Sequence, residues 1–418
     1  MYFDVMQKKF NQIKYNKLVR QTGLYSLMQV FSLGMGFLIN VFLAKEMGVE
    51  LFGIYSFAAG VMGFVGIFFE FGFFSTAAKI LADNQDPEKE HCWLGAFFLI
   101  FMLVNMAMTG TIFLLSLGVD YVFEDKIGVL LSSVCIYSYV YIVPFFMELV
   151  LKGNNKIYAL SGFNFFQRLL SLMILFALYL VDHVNPQTMF HVLGFSYLIS
   201  FLFIYFSMKP KFDHPIEHIR KVIAYNKEYG WPLYWGRIST SGAYNLDKLL
   251  IPYFIDARAV GLYTLAYSFA APIVTLSNAL AAATFRDLAK KTFIAKTIIR
   301  NNVRGLVVLS FIVLLAGYLV LCLYLPEGYH VSFYYLVILV VAFSFQGAYT
   351  LYNSWLAARG HTQLMRNIAF RISVLDVFSN AILIMCFGAY GGCMAALLEK
   401  IYAYYLFKKA YHKFCIVE

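Results

Sequence analysis

The chain has 418 residues, of which 61% are hydrophobic and only 13% charged, against a quarter charged in an average soluble domain. Its mean hydropathy is +0.70 and its formal net charge is +10. A water-soluble globule of this length cannot hide so much apolar surface, so the composition excludes soluble classes and implies an integral membrane protein.

Charge-free runs cover Gln21–Ala44, Trp93–Val119, Ile127–Met147, Thr188–Met208, Ala259–Phe285, Gly305–Pro326 and Val331–Ala358. Each exceeds or matches the roughly 20 residues that carry a helix across about 30 Å of hydrocarbon. Barrel strands would instead alternate over segments of about ten residues. The expected fold class is therefore all-α and polytopic. In chain order, the apolar pattern places twelve spans near 22–45, 54–80, 93–118, 127–151, 160–182, 188–208, 230–255, 259–286, 304–325, 331–357, 367–388 and 390–408. The basic start (Lys8, Lys9, Lys14, Lys17, Arg20) precedes the first run and reads as the flank of a retained span, not a cleaved signal.

Twelve spans divide the connections between two sides. One side holds only Lys45, Lys126 and Arg258; the other holds the N-terminal lysines, Lys152, Lys156, the 209–228 segment, the Arg286–Arg304 stretch and the basic tail. Lys and Arg accumulate in cytoplasmic loops, which puts both termini in the cytoplasm. The excess positive charge thus reports topology and attraction to anionic headgroups; no soluble part exists to bind nucleic acid. His214 and His218 stand at i, i+4, but no third ligand is nearby and no metal site is expected.

The longest connection on the basic side cuts the chain into an N-terminal bundle (1–208), a connecting segment (209–229) and a C-terminal bundle (230–418). The halves carry traces of a repeat. Gly53-Ile-Tyr-Ser-Phe-Ala58 aligns with Gly261-Leu-Tyr-Thr-Leu-Ala266 at an offset of 208, each at the start of its half's second span. Lys152-Gly153 aligns with Arg359-Gly360 at an offset of 207. The glycine is read as permitting a tight entry and the tyrosine as an interface anchor. Six spans per half is an even number, so the copies share orientation about an axis along the membrane normal, as in transporters built from parallel repeats.

Several phrases resemble the multidrug/oligosaccharidyl-lipid/polysaccharide (MOP) exporter superfamily. LAKEMGVELFGIYSFA and FEFGFFSTAAKILA are similar to its first two spans, and YNLDKLLIPYFIDARAVGLYTLA to its seventh span and the turn into the eighth. NSWLAARGHTQ resembles the end of its tenth span, and SNAILIMCFGAYGGCMAALL the hairpin joining its last two. Chain length, basicity and span number are most similar to the Wzx-type O-antigen or capsule repeat-unit flippases. Lipid II flippases usually have fourteen spans and arginines in the first two, whereas span one here offers Gln29 and Asn40. The resemblance implies a MATE-like pair of six-helix bundles. It further implies transport of an undecaprenyl-diphosphate-linked oligosaccharide to the periplasmic leaflet of a bacterial inner membrane, beside other polysaccharide-assembly proteins. A MATE-type multidrug antiporter and an integral polysaccharide polymerase or ligase are the competing readings; the short outer loops argue against the last. No P-loop and no cofactor motif is present, so coupling to H⁺ or Na⁺ is expected.

Ionisable residues inside spans are functional candidates by default. Arg237, Tyr244 and Lys248 have the spacing i, i+7, i+11, one face of a single helix. At the 208 offset they align with Gln29, Gly36 and Asn40, so one copy of the stripe is cationic and the other neutral. Arg237, Lys248, Tyr244, Arg168, Gln29 and Asn40 are the expected substrate-binding residues. A competing structural role for Lys248, pairing with Asp247, is disfavoured because adjacent helical residues do not face each other. Glu70, set among aromatics, Asp247, and Asp376 with Asn380 one turn on are the expected ion-coupling groups. Arg371, near a span end, is read as snorkelling to the interface.

Overall fold

The computed structural model describes residues 17–84, 86–123, 127–181, 184–241, 246–290 and 292–415. Tyr244 and Lys126 lie outside them. No strand occurs among the described residues. The first helix, α1 (Lys17–Phe68), contains two spans. Gly48 turns the chain between them with φ 71°, a conformation that glycine adopts without steric cost. Next come α2 (Phe73–Asp83), α3 (Pro87–Ser116), α4 (Gly128–Val134) and α5 (Val143–Gly153), the last two joined by a 3₁₀ stretch over Cys135–Tyr141. The first bundle closes with α6 (Ile157–Tyr179) and α7 (Pro186–Ser207).

The connecting segment is itself a helix, α8 (Pro215–Glu228), whose Val222 and Asn226 are buried against the first bundle. His218 meets Trp93 edge-on at 4.9 Å there. The second bundle comprises α9 (Gly230–Ser241), α10 (Asp247–Phe254), α11 (Ala257–Ala270), α12 (Pro272–Lys290), α13 (Lys296–Tyr318), α14 (His330–Ala358), α15 (Thr362–Phe387) and α16 (Ala389–Phe414). Among the described residues, nine helical segments are long and apolar enough to cross a membrane. The first of these is the two-span α1. With the pair α9–α10 and with α16, the count becomes twelve spans in two lobes, an all-α polytopic fold as expected.

Among the described residues, expected spans two, four and eight are each interrupted. Span two breaks at Phe69–Gly72, where Phe71 and Gly72 take positive φ. Span four runs through α4, the 3₁₀ stretch and α5, and span eight kinks where Pro272 cannot donate to the preceding turn; α9 and α10 are the described parts of span seven. Even-numbered crossing places both termini on one face, called here the terminal face; the opposite is the far face.

The repeated glycine phrase has a different role from the one its sequence position implies. Gly48, not Gly53, makes the turn. Gly53 and Gly261 lie against each other across the lobes: a Cβ on Gly261 would stand 2.8 Å from the Gly53 Cα, and one on Gly53 2.5 Å from the Ala257 carbonyl oxygen. The two copies of the motif are thus contact partners, backbone on backbone, near the far face. Tyr329 adds a hydrogen bond to the Ala44 carbonyl (2.6 Å) and Lys45 one to the Tyr324 hydroxyl (3.0 Å), both joining the lobes on that face.

Candidate functional site

Three polar features stand inside the membrane-spanning region. The first is a central cavity of about 410 Å³, walled by α1, α5, α6 and the kink between α11 and α12. Gln29 and Asn40 of α1 reach it, as do Asn164, Gln167 and Arg168 of α6 and Ser268 of α11. At 1.5 Å per residue, Arg168 lies about 16 Å along α6 from the terminal face, mid-membrane. Gly36 makes room for it, since a Cβ there would meet the guanidinium carbon at 3.4 Å. Glu148 also lines the cavity, but it is held by Lys152 one turn on, at 2.5 Å. The structure therefore brings together Gln29, Asn40 and Arg168 out of the expected substrate-binding set.

Arg237 and Lys248 are not in that cavity. Arg237 lies on α9 and Lys248 on α10, and the expected shared face runs through residues 242–245, which lie outside the described ones. Lys248 packs into the space left by Gly60, where a Cβ would stand 3.1 Å from its own Cβ, and its ammonium lies 6.0 Å from the Tyr267 ring centre. The Lys248 backbone N–H donates to Asp247 Oδ1 at 2.8 Å.

Arg237 belongs to the second feature. Glu70 sits in the break of span two with its side chain 4% exposed, and Arg237 donates to its Oε2 at 2.7 Å from the other lobe. Ser75 donates to Oε1 at 2.9 Å, and the guanidinium carbon lies 3.1 Å from the Phe145 ring centre. The desolvation that singles out Glu70 is thus offset by a cation. The same break is tied further: Tyr234 donates to the Phe68 carbonyl (2.8 Å) and Asn226 to the Phe71 carbonyl (2.9 Å). Gly72 and Gly230 touch backbone to backbone, with a Gly72 Cβ falling 2.4 Å from the Gly230 carbonyl. These contacts join the break to α8 and α9 at the terminal face.

The third feature is a buried acidic cluster in the second lobe. Asp247, Asp376, Asn380, Glu399, Lys400 and Tyr263 surround a cavity of about 20 Å³, room for roughly one water-sized occupant. Tyr263 donates to Asp247 Oδ2 at 2.5 Å, Asn380 Nδ2 to Asp376 Oδ1 at 2.8 Å, and Lys400 pairs with Glu399. Asn380 Oδ1 is buried without a hydrogen-bond partner. Glu399 and Lys400, which the sequence suggests only as a structural pair, complete a site for which Asp247, Asp376 and Asn380 were the expected members. Their signal was an adjacent charged pair in the middle of an apolar span. Among the described residues, no three His, Cys, Asp or Glu are grouped to hold a metal ion.

Comparison with known proteins shows the family and the fold. Residues 18–285 match the profile of a family described as polysaccharide biosynthesis protein. A probable flippase, AglR of Haloferax volcanii, is 24% identical over 400 residues, covering 92% of this chain and 81% of its own. Among solved structures, the lipid II flippase MurJ in an inward closed conformation superposes with a TM-score of 0.72 at 16% identity, over 93% of this chain and 87% of that one. An inward-facing multidrug-resistance MATE transporter of the MOP superfamily gives 0.62 at 14%, over 94% of each.

Proposed function

This chain belongs to the polysaccharide biosynthesis protein family, and we propose that it is a flippase for lipid-linked oligosaccharides. The fold is that of the MOP superfamily. In this reading it moves an undecaprenyl-diphosphate-linked repeat unit of O-antigen or capsule from the cytoplasmic leaflet to the outer one. The two lobes rock about the central cavity while the lipid tail stays in the bilayer, and both termini face the cytoplasm.

The observation that carries this reading is the central cavity itself. Among the described residues, its one lining cation is Arg168, which shares the cavity with Gln29, Asn40, Asn164 and Gln167, and its one lining carboxylate, Glu148, is engaged by Lys152. A guanidinium in a low-dielectric wall favours a phosphate, and neutral amides are suited to sugar hydroxyls. Asp247, Asp376 and Glu399 then serve as the coupling site for H⁺ or Na⁺, with the orphan Asn380 oxygen as a further acceptor. A second reading, a cation antiporter of MATE type, is favoured by the fold, which an inward-facing MATE transporter shares at a TM-score of 0.62.

Deletion in the native host separates the two. The flippase reading expects loss of surface polymer and accumulation of complete lipid-linked units facing the cytoplasm. Complementation by Arg168→Gln would restore abundance without restoring export. Normal polysaccharide with altered drug tolerance would sink the flippase reading in favour of the antiporter.

A further inference from the structure

Arg237 faces two ways. Beyond its pair with Glu70 it lines a separate groove of about 840 Å³ between α9 and α15, together with Arg366 and Arg371. We propose that this groove is the docking site for the diphosphate head of the lipid-linked substrate, occupied before the head reaches the central cavity. The proposal rests on the flippase reading.

Both helices start from the terminal face. Arg237 stands seven residues into α9, and Arg366 and Arg371 four and nine residues into α15, so the three lie about 6 to 13 Å along their helices. Snorkelling accounts for one arginine at such a depth, reaching back to the headgroups. It does not by itself explain why two further guanidiniums, Arg366 and Arg371, line the same cavity as Arg237, whose own charge is balanced by Glu70. Convergence of this kind calls for an anion of more than one charge, and guanidinium forks match phosphate oxygens in pairs. Asn367 supplies a further donor at the rim.

The apolar surroundings specify an amphiphile, not a free anion. Phe370, Val374 and Phe378 are exposed at i, i+4, i+8 along α15, and Trp231, Leu233 and Trp235 are exposed on α9. Trp235, Leu233 and Phe370 line the groove itself, so a lipid tail leaving the head meets a continuous apolar track. A single phosphodiester headgroup presents one charge to Arg366 and Arg371, whereas a diphosphate presents enough to engage both and to compete with Glu70 for Arg237.

Occupancy also acts on the lobes. Phosphate oxygens in the groove compete with Glu70 for Arg237, which weakens the pair that ties the break in span two to α9. Loading of the substrate is thereby linked to loosening of the terminal face.

The test uses the full-length protein in phosphatidylcholine nanodiscs, titrated with undecaprenyl diphosphate and read by tryptophan quenching. The intact protein is expected to bind. Arg366→Gln with Arg371→Gln weakens binding at least tenfold, while Lys296→Gln with Arg300→Gln, which removes two charges from the same face outside the groove, leaves it unchanged. Unaltered binding in the groove variant, or an equal loss in the control, overturns the groove. Displacement by phosphatidylglycerol at comparable concentration overturns the substrate assignment and makes this a phospholipid site. No binding by the intact protein would count against the flippase reading itself, a result distinct from failure of the groove alone.

Discussion

The pair Glu70–Arg237 joins a carboxylate with its side chain 4% exposed to a guanidinium 32% exposed, and its partners come from different lobes. Removing one member of a buried pair leaves the other uncompensated, which typically costs about 3 kcal/mol. Arg237→Gln is therefore expected to lower the unfolding stability of the purified protein by about that amount. The double variant Glu70→Gln with Arg237→Gln recovers most of the loss, because no charge is left stranded. Equal stability of single and double variants would show that the two residues do not act as a unit. Both residues were identifiable from sequence as ionisable groups within spans; their partnership was not. They are separated by 167 positions, and nothing local in either segment names the other.

At the scale of elements, glycine contacts decide how the lobes approach. Gly53 against Gly261 near the far face, and Gly72 against Gly230 at the terminal face, bring backbones closer than any Cβ allows. Gly53→Leu places a side chain into the Ala257 carbonyl, so the far face cannot close as seen here. We expect the variant to fold yet to expose that face. In a cysteine-free background, a cysteine at Val49 should be labelled by a membrane-impermeant maleimide several-fold faster than in the parent. Unchanged labelling would mean that the Gly53–Gly261 contact does not hold the face shut. The break in span two lay beyond a reading by hydropathy. Apolar composition persists straight through Phe69–Gly72, and only the positive φ of Phe71 and Gly72, fixed by packing against Gly230, interrupts the helix.

For the whole molecule, transport by rocking requires the far-face contacts to separate in each cycle. Lys45 and Tyr324 meet at 3.0 Å from opposite lobes on that face. Cysteines at these two positions, joined by a cleavable bifunctional thiol reagent, are expected to stop export of lipid-linked intermediate, and cleavage to restore it. Export by the crosslinked protein would exclude opening of this face from the cycle. What the sequence determined by itself was everything that depends on local composition. Long uncharged runs must form helices in a membrane, because every backbone polar group has to be satisfied within its own segment. The even number of spans in each half and the repeated phrase then pointed to two similarly oriented lobes. What only the tertiary structure decided was which charges meet. Arg168 looks into the central cavity, Arg237 into a groove shared with Arg366 and Arg371, and Lys400 into the acidic cluster. Each placement depends on helix breaks and on contacts between segments far apart in the chain. A hydrophobic pattern carries no record of these, because a charge is costly in the membrane wherever it lies and only its neighbours determine what it can do.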